Sequence, residues 1–362
     1  MRVEIIGDAE RWNRFVEAQP TGNITQTYEW GELPNALGGD ALRLGAVEDG
    51  KLVGTMLAGV ATAPGLRRPY LYVPRGPVIA DPASPALAAL VAQADEEARR
   101  RGAFMLKIEP NAADGDAAWL DALRKLGFRP NRFATHPRRS WMLDIRPPEA
   151  DLLAAMKEKW RYNIRVASRK GVTVRLAETP ADLAAFYALY QETAARDGFF
   201  IHPQRHYEQI WRLYDARDAA ALLLAEYAGE PIAGLFALRC GPVTTYMFGA
   251  SSNRERNRMP NHLLQWTAIQ WAKAHGCTTY DFRAIAEVLD PREDLYSLYT
   301  YKQGFGGTSV LALQTHDKAY QPAVYWAYER LLAVKRARDQ RRHLRELGAR
   351  TKPAEKAPQS AK

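Results

Sequence analysis

Lys302 in YTYKQGFGG, Glu109 in LKIEP and Asp281 in TYDF are the side chains in this sequence most able to do chemistry. A lysine ammonium beside glycines that let the backbone bend can steady an oxyanion, and losing such a donor costs roughly 3–4 kcal/mol of transition-state stabilisation. A carboxylate can take a proton from an attacking amine or hold the ammonium form. No serine or cysteine stands in a nucleophile phrase such as G-x-S-x-G, so an acyl transfer run by these groups would be a direct attack without a covalent intermediate. On their own the same phrases also read as an exposed strand lysine beside an ordinary turn and as strand-end carboxylates capped by backbone N–H groups.

Two further stretches bear on binding. RNRMPNHLLQWTAIQWAKAHG, from Arg256 to Gly276, predicts a turn followed by an amphipathic helix with Pro260 in its first turn. Acyl-CoA-dependent acyltransferases hold a pyrophosphate at such a helix start with a glycine-rich turn, and this turn has no glycine. In MKEKWRYNIRVASRK, Met156, Trp160, Ile164 and Ala167 recur at helical spacing, and Lys157, Arg161, Arg165 and Arg169 form a neighbouring stripe. That cationic edge suits phosphate groups, and it reads equally as a solvated face.

The elements that position these residues belong to a large globular chain. At 362 residues and 47% hydrophobic composition, two domains are expected. No apolar run approaches the roughly 20 residues needed to cross a bilayer, and MRVEIIGDAERW lacks the layout of a secretory signal. Cys240 and Cys277 make no disulfide framework and fit a reducing, cytoplasmic setting; with His262 and His275 they lack the spacing of a metal site. No cofactor is expected. Charge is unevenly placed: from Arg330 onward eleven Lys/Arg face three Asp/Glu, which accounts for 8 of the 9 net positive charges. Such an arm points to an anionic partner, RNA or a membrane surface.

The chain also repeats itself. ALRLGAVEDGKLVGTMLAGVA (Ala41 to Ala61) parallels ALLLAEYAGEPIAGLFALRCG (Ala221 to Gly241), each reading as two strands around a glycine-containing hairpin. YLYVPRGPVI and TTYMFGASSN follow, then alanine-rich helices stopping at Gly102 and Gly276, then the strands AFMLKIEP and CTTYDFRA. LRKLGFRP (Leu123 to Pro130) stands opposite TYKQGFGG (Thr300 to Gly307). A strand-strand-strand-helix-strand unit used twice predicts an α/β (α+β) fold of two similar domains, each a mixed, mostly antiparallel sheet flanked by helices. The expected division is 1–148, 149–320, a basic C-terminal helix over 321–349 and a disordered tail over 350–362, the first boundary resting on the prolines of DIRPPEADLLAAM.

With the late phrase, L-x-K-x-G-F in the first unit and T-x-K-x-G-F in the second, each unit resembles the GNAT acyltransferase fold. The tandem pair resembles the Fem family of peptidoglycan interpeptide-bridge aminoacyltransferases, through QTYEWGE, YLYVPRGPV, KEKWRYNIRVASRKGV, ETAARDGF, YMFGASS, RMPNHLLQWTAIQWAKAHGC and LYSLYTYKQGFGG. The resemblance implies transfer of an amino acid from aminoacyl-tRNA to the side-chain amine of a UDP- or lipid-linked muropeptide precursor. It implies that Lys302 lies in the donor channel as a fixed ammonium near the oxyanion. It also implies that Glu109 lies by the acceptor cleft; Asp281 holds the near-equivalent place in the second repeat. Arg161, Arg165, Tyr246, Tyr301 and Gly304 fall in family phrases and are taken as substrate-binding. RDGFFIHPQRHYEQIW departs from the family: His202 takes the place of an arginine that grips the muropeptide, with Arg205 and Tyr207 beside it. QTYEWGE lacks the nearby lysine of some members, and its Trp30 reads as core.

PAVYWAYERLLAVKRARDQRRHLREL ends the expected ordered chain, with Val324, Tyr328, Leu331 and Leu332 as the stripe that docks on the body. Its basic half beyond Val334 is expected to project toward tRNA or the anionic inner face of a membrane, giving a peripheral association. An acyl-CoA-dependent GNAT N-acyltransferase, and an aminoacyl-tRNA-dependent transferase acting on a protein or lipid, are the alternative activities.

Overall fold

The computed structural model describes residues 1–36, 39–63, 65–293 and 295–350; the tail read as disordered lies, beyond Arg350, outside the described residues. The strands of the first half are β1 (Arg2–Ile5), β2 (Ala41–Glu48), β3 (Lys51–Thr62), β4 (Pro69–Val73), β5 (Val78–Ile79), β6 (Met105–Ile108) and β7 (Arg129–Asn131). Those that follow are β8 (Arg139–Asp144), β9 (Thr173–Leu176), β10 (Ala220–Tyr227), β11 (Glu230–Cys240), β12 (Val243–Ser251), β13 (Thr279–Ala284), β14 (Thr308–Leu311) and β15 (Thr315–Ala319). The helices are α1 (Ala9–Ala18), α2 (Tyr28–Ala36), α3 (Pro85–Arg101), α4 (Ala117–Lys125), α5 (Glu149–Ala155), α6 (Glu158–Arg169), α7 (Pro180–Asp197), α8 (Gln204–Asp215), α9 (Pro260–Ala274), α10 (Tyr296–Lys302) and α11 (Pro322–Arg350).

Two sheets result. One runs β1-β2-β3-β4-β6-β15-β7 with β5 beside β3, and the other runs β14-β8-β13-β12-β11-β10-β9. Pairing is antiparallel except for β4 with β6 and β12 with β13, the two places where a long helix, α3 or α9, connects the strands. The repeat in the sequence is therefore a repeat in topology. Asp49–Gly50 and Ala228–Gly229 turn the two equivalent hairpins with positive φ at both residues, as a two-residue hairpin matched to the strand twist requires. Proline opens both crossover helices, and left-handed Gly102 and Gly276 follow their ends.

The sheets exchange strands, so they do not divide at one point of the chain. β8 precedes residue 148 and lies in the second sheet, between β13 and β14; β15 follows the second sheet and lies in the first, between β6 and β7. β15 is held by a buried ion pair, Lys107 Nζ to Asp317 Oδ1 at 3.0 Å. Asn131 Nδ2 and the Tyr325 hydroxyl donate to the other oxygen of Asp317 at 2.5 and 3.1 Å. One core cluster joins the halves, mixing Trp12, Val16 and Leu33 with Phe186, Tyr207, Tyr214 and Phe236. Thr27 Oγ1 and the Tyr214 hydroxyl meet there at 2.6 Å, and Arg217 bridges Glu17 and Glu29. Cys240 and Cys277 are buried free thiols.

α11 docks through Tyr328, with Val324, Tyr325 and Leu332 around it, against Tyr70, Phe104 and Met105. Leu331, expected in this stripe, lies at its edge, 44% exposed with its Cδ1 beside Gly65, and Tyr325 joins the stripe with its hydroxyl on Asp317. No helix among the described residues is long and apolar enough to cross a membrane.

Candidate active site

β12 and β13 pair in parallel only from Val243 opposite Thr279 to Thr245 opposite Asp281; beyond that point they part. The gap is a cavity of about 480 Å³ whose wall includes Tyr190, Tyr246, Phe248, Gln265, Arg283 and Lys302. β13 also slips against β8 between Asp281 and Ala284, and Arg283 at the slip takes a left-handed φ of 59°. Bulges of this kind re-aim side chains at sheet rims. The Asp281 carboxylate accepts the Arg283 backbone N–H at 2.6 Å, which fixes the turn.

Lys302 closes α10 and is 4% exposed. Its Nζ donates to the Ala284 carbonyl at 2.6 Å and stands 5.9 Å from the centre of the Tyr246 ring. The glycines that follow force this burial. Gly304 lies flat on Trp160, where a Cβ would fall inside the indole, and Gly307, with a φ of 90°, packs on the Met142 carbonyl. Burial pushes the Lys302 amine down to about 7; the charge of Asp281 opposes the drop and that of Arg283 adds to it. An amine in that range can donate as an ammonium and give up its proton near neutrality. Burial raises Asp281, against the Arg283 N–H and the Arg283 and Lys302 charges, and lowers Arg283. Tyr246 is pushed up to about 12 by burial and remains a neutral phenol.

Glu109, at the end of β6, belongs to a second cluster. Its Oε2 accepts the Tyr72 hydroxyl at 2.6 Å and lies 3.1 Å from His136 Nδ1, and its Oε1 accepts the Thr135 N–H at 2.6 Å and the Thr315 hydroxyl at 3.2 Å. The Tyr72 and His136 rings stack. Burial favours the protonated acid, but His136, Tyr72 and Thr135 outweigh it and bring the carboxyl down to about 2. Glu109 is thus a permanent anion and a weak base.

Shared walls connect the clusters. A cavity of about 280 Å³ lined by Trp30, Leu57, Tyr72 and His136 meets, at His136, one of about 160 Å³ between the two sheets. The latter is lined by Arg75, Asn111, Asp281 and Arg283, and meets the Lys302 cavity at Pro137, Arg283 and Ala284. Trp30, read as core, is partly open to the first of these. Arg75, His136, Tyr72 and Arg283 carry this groove, and none was singled out from the sequence. The Arg283 signal was the D-x-R spacing in TYDFRA, which hides the bulge that turns the arginine inward.

The other expected residues lie in different places. Arg161 donates from Nη1 to the Ala154 carbonyl at 3.1 Å and to that of Met156, closing the end of α5. Arg165 and Arg205 are exposed, and with Arg161 they line none of the three cavities. Tyr207 is enclosed, edge-on to Tyr190 and Phe248, and so backs the cavity wall. Tyr301 lines the cavity and donates to the Asn261 carbonyl at 2.9 Å. The turn before α9 engages its own cations: Arg258 bonds Glu255 and the Lys170 carbonyl and stacks on Tyr227.

The sequence matches the FemAB family over residues 8–228 and an acetyltransferase (GNAT) domain over 154–303. A lipid II:glycine glycyltransferase of Staphylococcus saprophyticus is 26% identical over 361 residues, an alignment covering 81% of this chain and 87% of the relative. Among solved structures, FemX superposes with a TM-score of 0.83 at 23% identity, covering 91% of this chain and all of FemX. A tandem GNAT protein from the clavulanic acid biosynthesis pathway superposes with a TM-score of 0.53 at 13% identity over 88% of this chain and 98% of its own. The last two are likenesses of fold.

Proposed function

The chain belongs to the FemAB family, and from that premise we propose that it transfers an amino acid from an aminoacyl-tRNA ester to an amine of a lipid-linked peptidoglycan precursor. The observation that carries this reading is the groove of three cavities with shared walls, with Lys302 lining one end and, at the other, Tyr72 and His136, which the buried Glu109 holds from behind. The Staphylococcus saprophyticus relative, named for glycyl transfer to lipid II, supports the acceptor class.

In the reaction, the acceptor nitrogen bonds to the ester carbonyl carbon, the carbon–oxygen bond to the ribose breaks, the amine sheds a proton and the ribose oxygen gains one. Lys302 in its ammonium form donates to the carbonyl oxygen as charge builds there and then supplies the proton to the leaving oxygen, a task suited to an amine held near 7. Asp281, whose affinity for a proton is raised by burial, receives the proton from the amine. Glu109 is too acidic for that step and instead fixes His136 and Tyr72, which line the groove. Arg75 and Arg283, which make no ion pair among the described residues, complement the anionic substituents of the substrates.

The test is incubation with a mixed aminoacyl-tRNA pool and detergent-solubilised lipid-linked precursor, read by mass spectrometry. The expected product is heavier by one amino-acid residue, disappears after ribonuclease treatment of the donor and is lost in Lys302→Met. An unmodified precursor, or a product formed without tRNA, would refute the reading.

A further inference from the structure

α11 has two faces, and only one is used by the body. Tyr328 and its neighbours are packed inward. On the other side Trp326 and Val334 are 61 and 52% exposed, and Leu331, at the edge of this face beside Gly65, is 44% exposed. At roughly 100° per residue these three and Arg330 fall within an arc of about 140°. Large apolar side chains left in water along one helix face mark an unfilled contact.

The surroundings of that face are cationic. Arg330 stacks over the Trp326 ring at 5.1 Å, and Lys335 and Arg338 are exposed beside it. Arg336 turns the other way, over Phe133 at 5.0 Å and onto the Arg132 carbonyl at 3.2 Å, and adds to the positive charge of the helix without bordering this face. From Pro322 to Arg338 the only acidic residue is Glu329, and the sequence beyond continues strongly basic. A tryptophan and aliphatic side chains ringed by arginine and lysine match an anionic bilayer surface: the rings and methyl groups enter the headgroup–acyl boundary while the cations meet lipid phosphates. Nucleic acid is the poorer fit, because Leu331 and Val334 offer it neither a stacking plane nor a donor.

We propose that the outward face of α11, centred on Trp326, Leu331 and Val334, docks the protein flat on an anionic membrane surface. The inference deepens the proposed function and rests on its lipid-linked acceptor for a purpose, while its evidence is the face itself. It differs from attachment through the basic arm alone, because the apolar side chains contribute directly and binding persists in part at high salt.

The full-length protein is floated with phosphatidylglycerol–phosphatidylcholine vesicles and with phosphatidylcholine alone. The parent is expected to partition at least about tenfold more strongly onto the anionic vesicles. Trp326→Ser/Leu331→Ser/Val334→Ser should lose at least about tenfold of that binding with its thermal transition unchanged, since these side chains are exposed. Brominated lipid should quench part of the parent's emission but not the corresponding part in Trp326→Phe. Flotation of the triple variant equal to the parent, or loss of tRNA binding without loss of flotation, would overturn the proposal. Transfer to detergent-solubilised acceptor should survive in the triple variant while transfer to vesicle-embedded acceptor falls. If the parent floats as expected and transfers to neither acceptor, the docking face stands and the reading of activity fails.

Discussion

The Nζ of Lys302 reaches the main-chain oxygen of Ala284 at 2.6 Å, so the end of α10 is tied to β13 beyond the point where β12 has left it. That single bond sets the amine inside the gap, under Tyr246, and keeps it from water. Its proton affinity and its position have one origin.

Removing this amine should raise stability and abolish transfer. The folded pKa, about 7, lies below the ordinary value of 10.5. Between those values the unfolded chain binds more protons at this residue, so stability rises with pH, and below 7 the full penalty remains. Lys302→Met is expected to be more stable than the parent at pH 7 by up to about 4 kcal/mol, an advantage that shrinks toward pH 10.5. Urea unfolding at pH 7 and 10 measures this, and the transfer rate should fall by at least about a hundredfold.

Glu109 should behave in the opposite sense. Its folded pKa of about 2 lies below its ordinary 4.5, so it stabilises the fold fully above pH 4.5 and loses that contribution as the pH falls through 2. Glu109→Gln is expected to cost up to about 3 kcal/mol at pH 7, with the gap to the parent closing in acid. Thermal melts from pH 7 to 3 would reveal it. The rate profile of the parent should carry no step from this carboxyl near neutrality.

Gly304→Ala drives a methyl group into Trp160. The expected cost is about 1–3 kcal/mol, with a drop in transfer because α10 must shift and carry Lys302 with it. In a Trp160→Leu background the same substitution should cost less, which a double-mutant cycle would measure.

Asp317→Ala should destabilise the protein by about 3–5 kcal/mol, since it leaves the Lys107 charge buried without its partner. Replacing both, as Lys107→Met/Asp317→Leu, should recover part of that loss in denaturant unfolding. Recovery is incomplete because Asn131 and Tyr325 lose their acceptor.

What could be read in the sequence was what is local. The hairpins announce themselves through Gly50 and Gly229, and the crossover helices through Pro260, Gly102 and Gly276, because each is a residue whose backbone needs few neighbours to decide. Burial is not local. Lys125 and Lys302 end equivalent helices four residues before matching phrases diverge, yet Lys125 pairs with Asp121 in solvent while Lys302 is enclosed. The difference lies in Trp160 and the gap beyond Thr245, neither adjacent in sequence. Arg283 was hidden for a similar reason: its inward turn depends on a slip against β8, a strand drawn from the other repeat. Pattern reveals that a segment is a strand and is silent on which neighbour it joins.

The crossing of β8 and β15 has a consequence during synthesis. β6 waits for a partner 210 residues downstream, counted from Lys107 to Asp317, so synthesis must pass β15 before the N-terminal layer can close. Long-range pairing of this kind slows folding and leaves strand edges open meanwhile. Genes cut at the apparent midpoint should therefore yield insoluble pieces that recover only when both are made together.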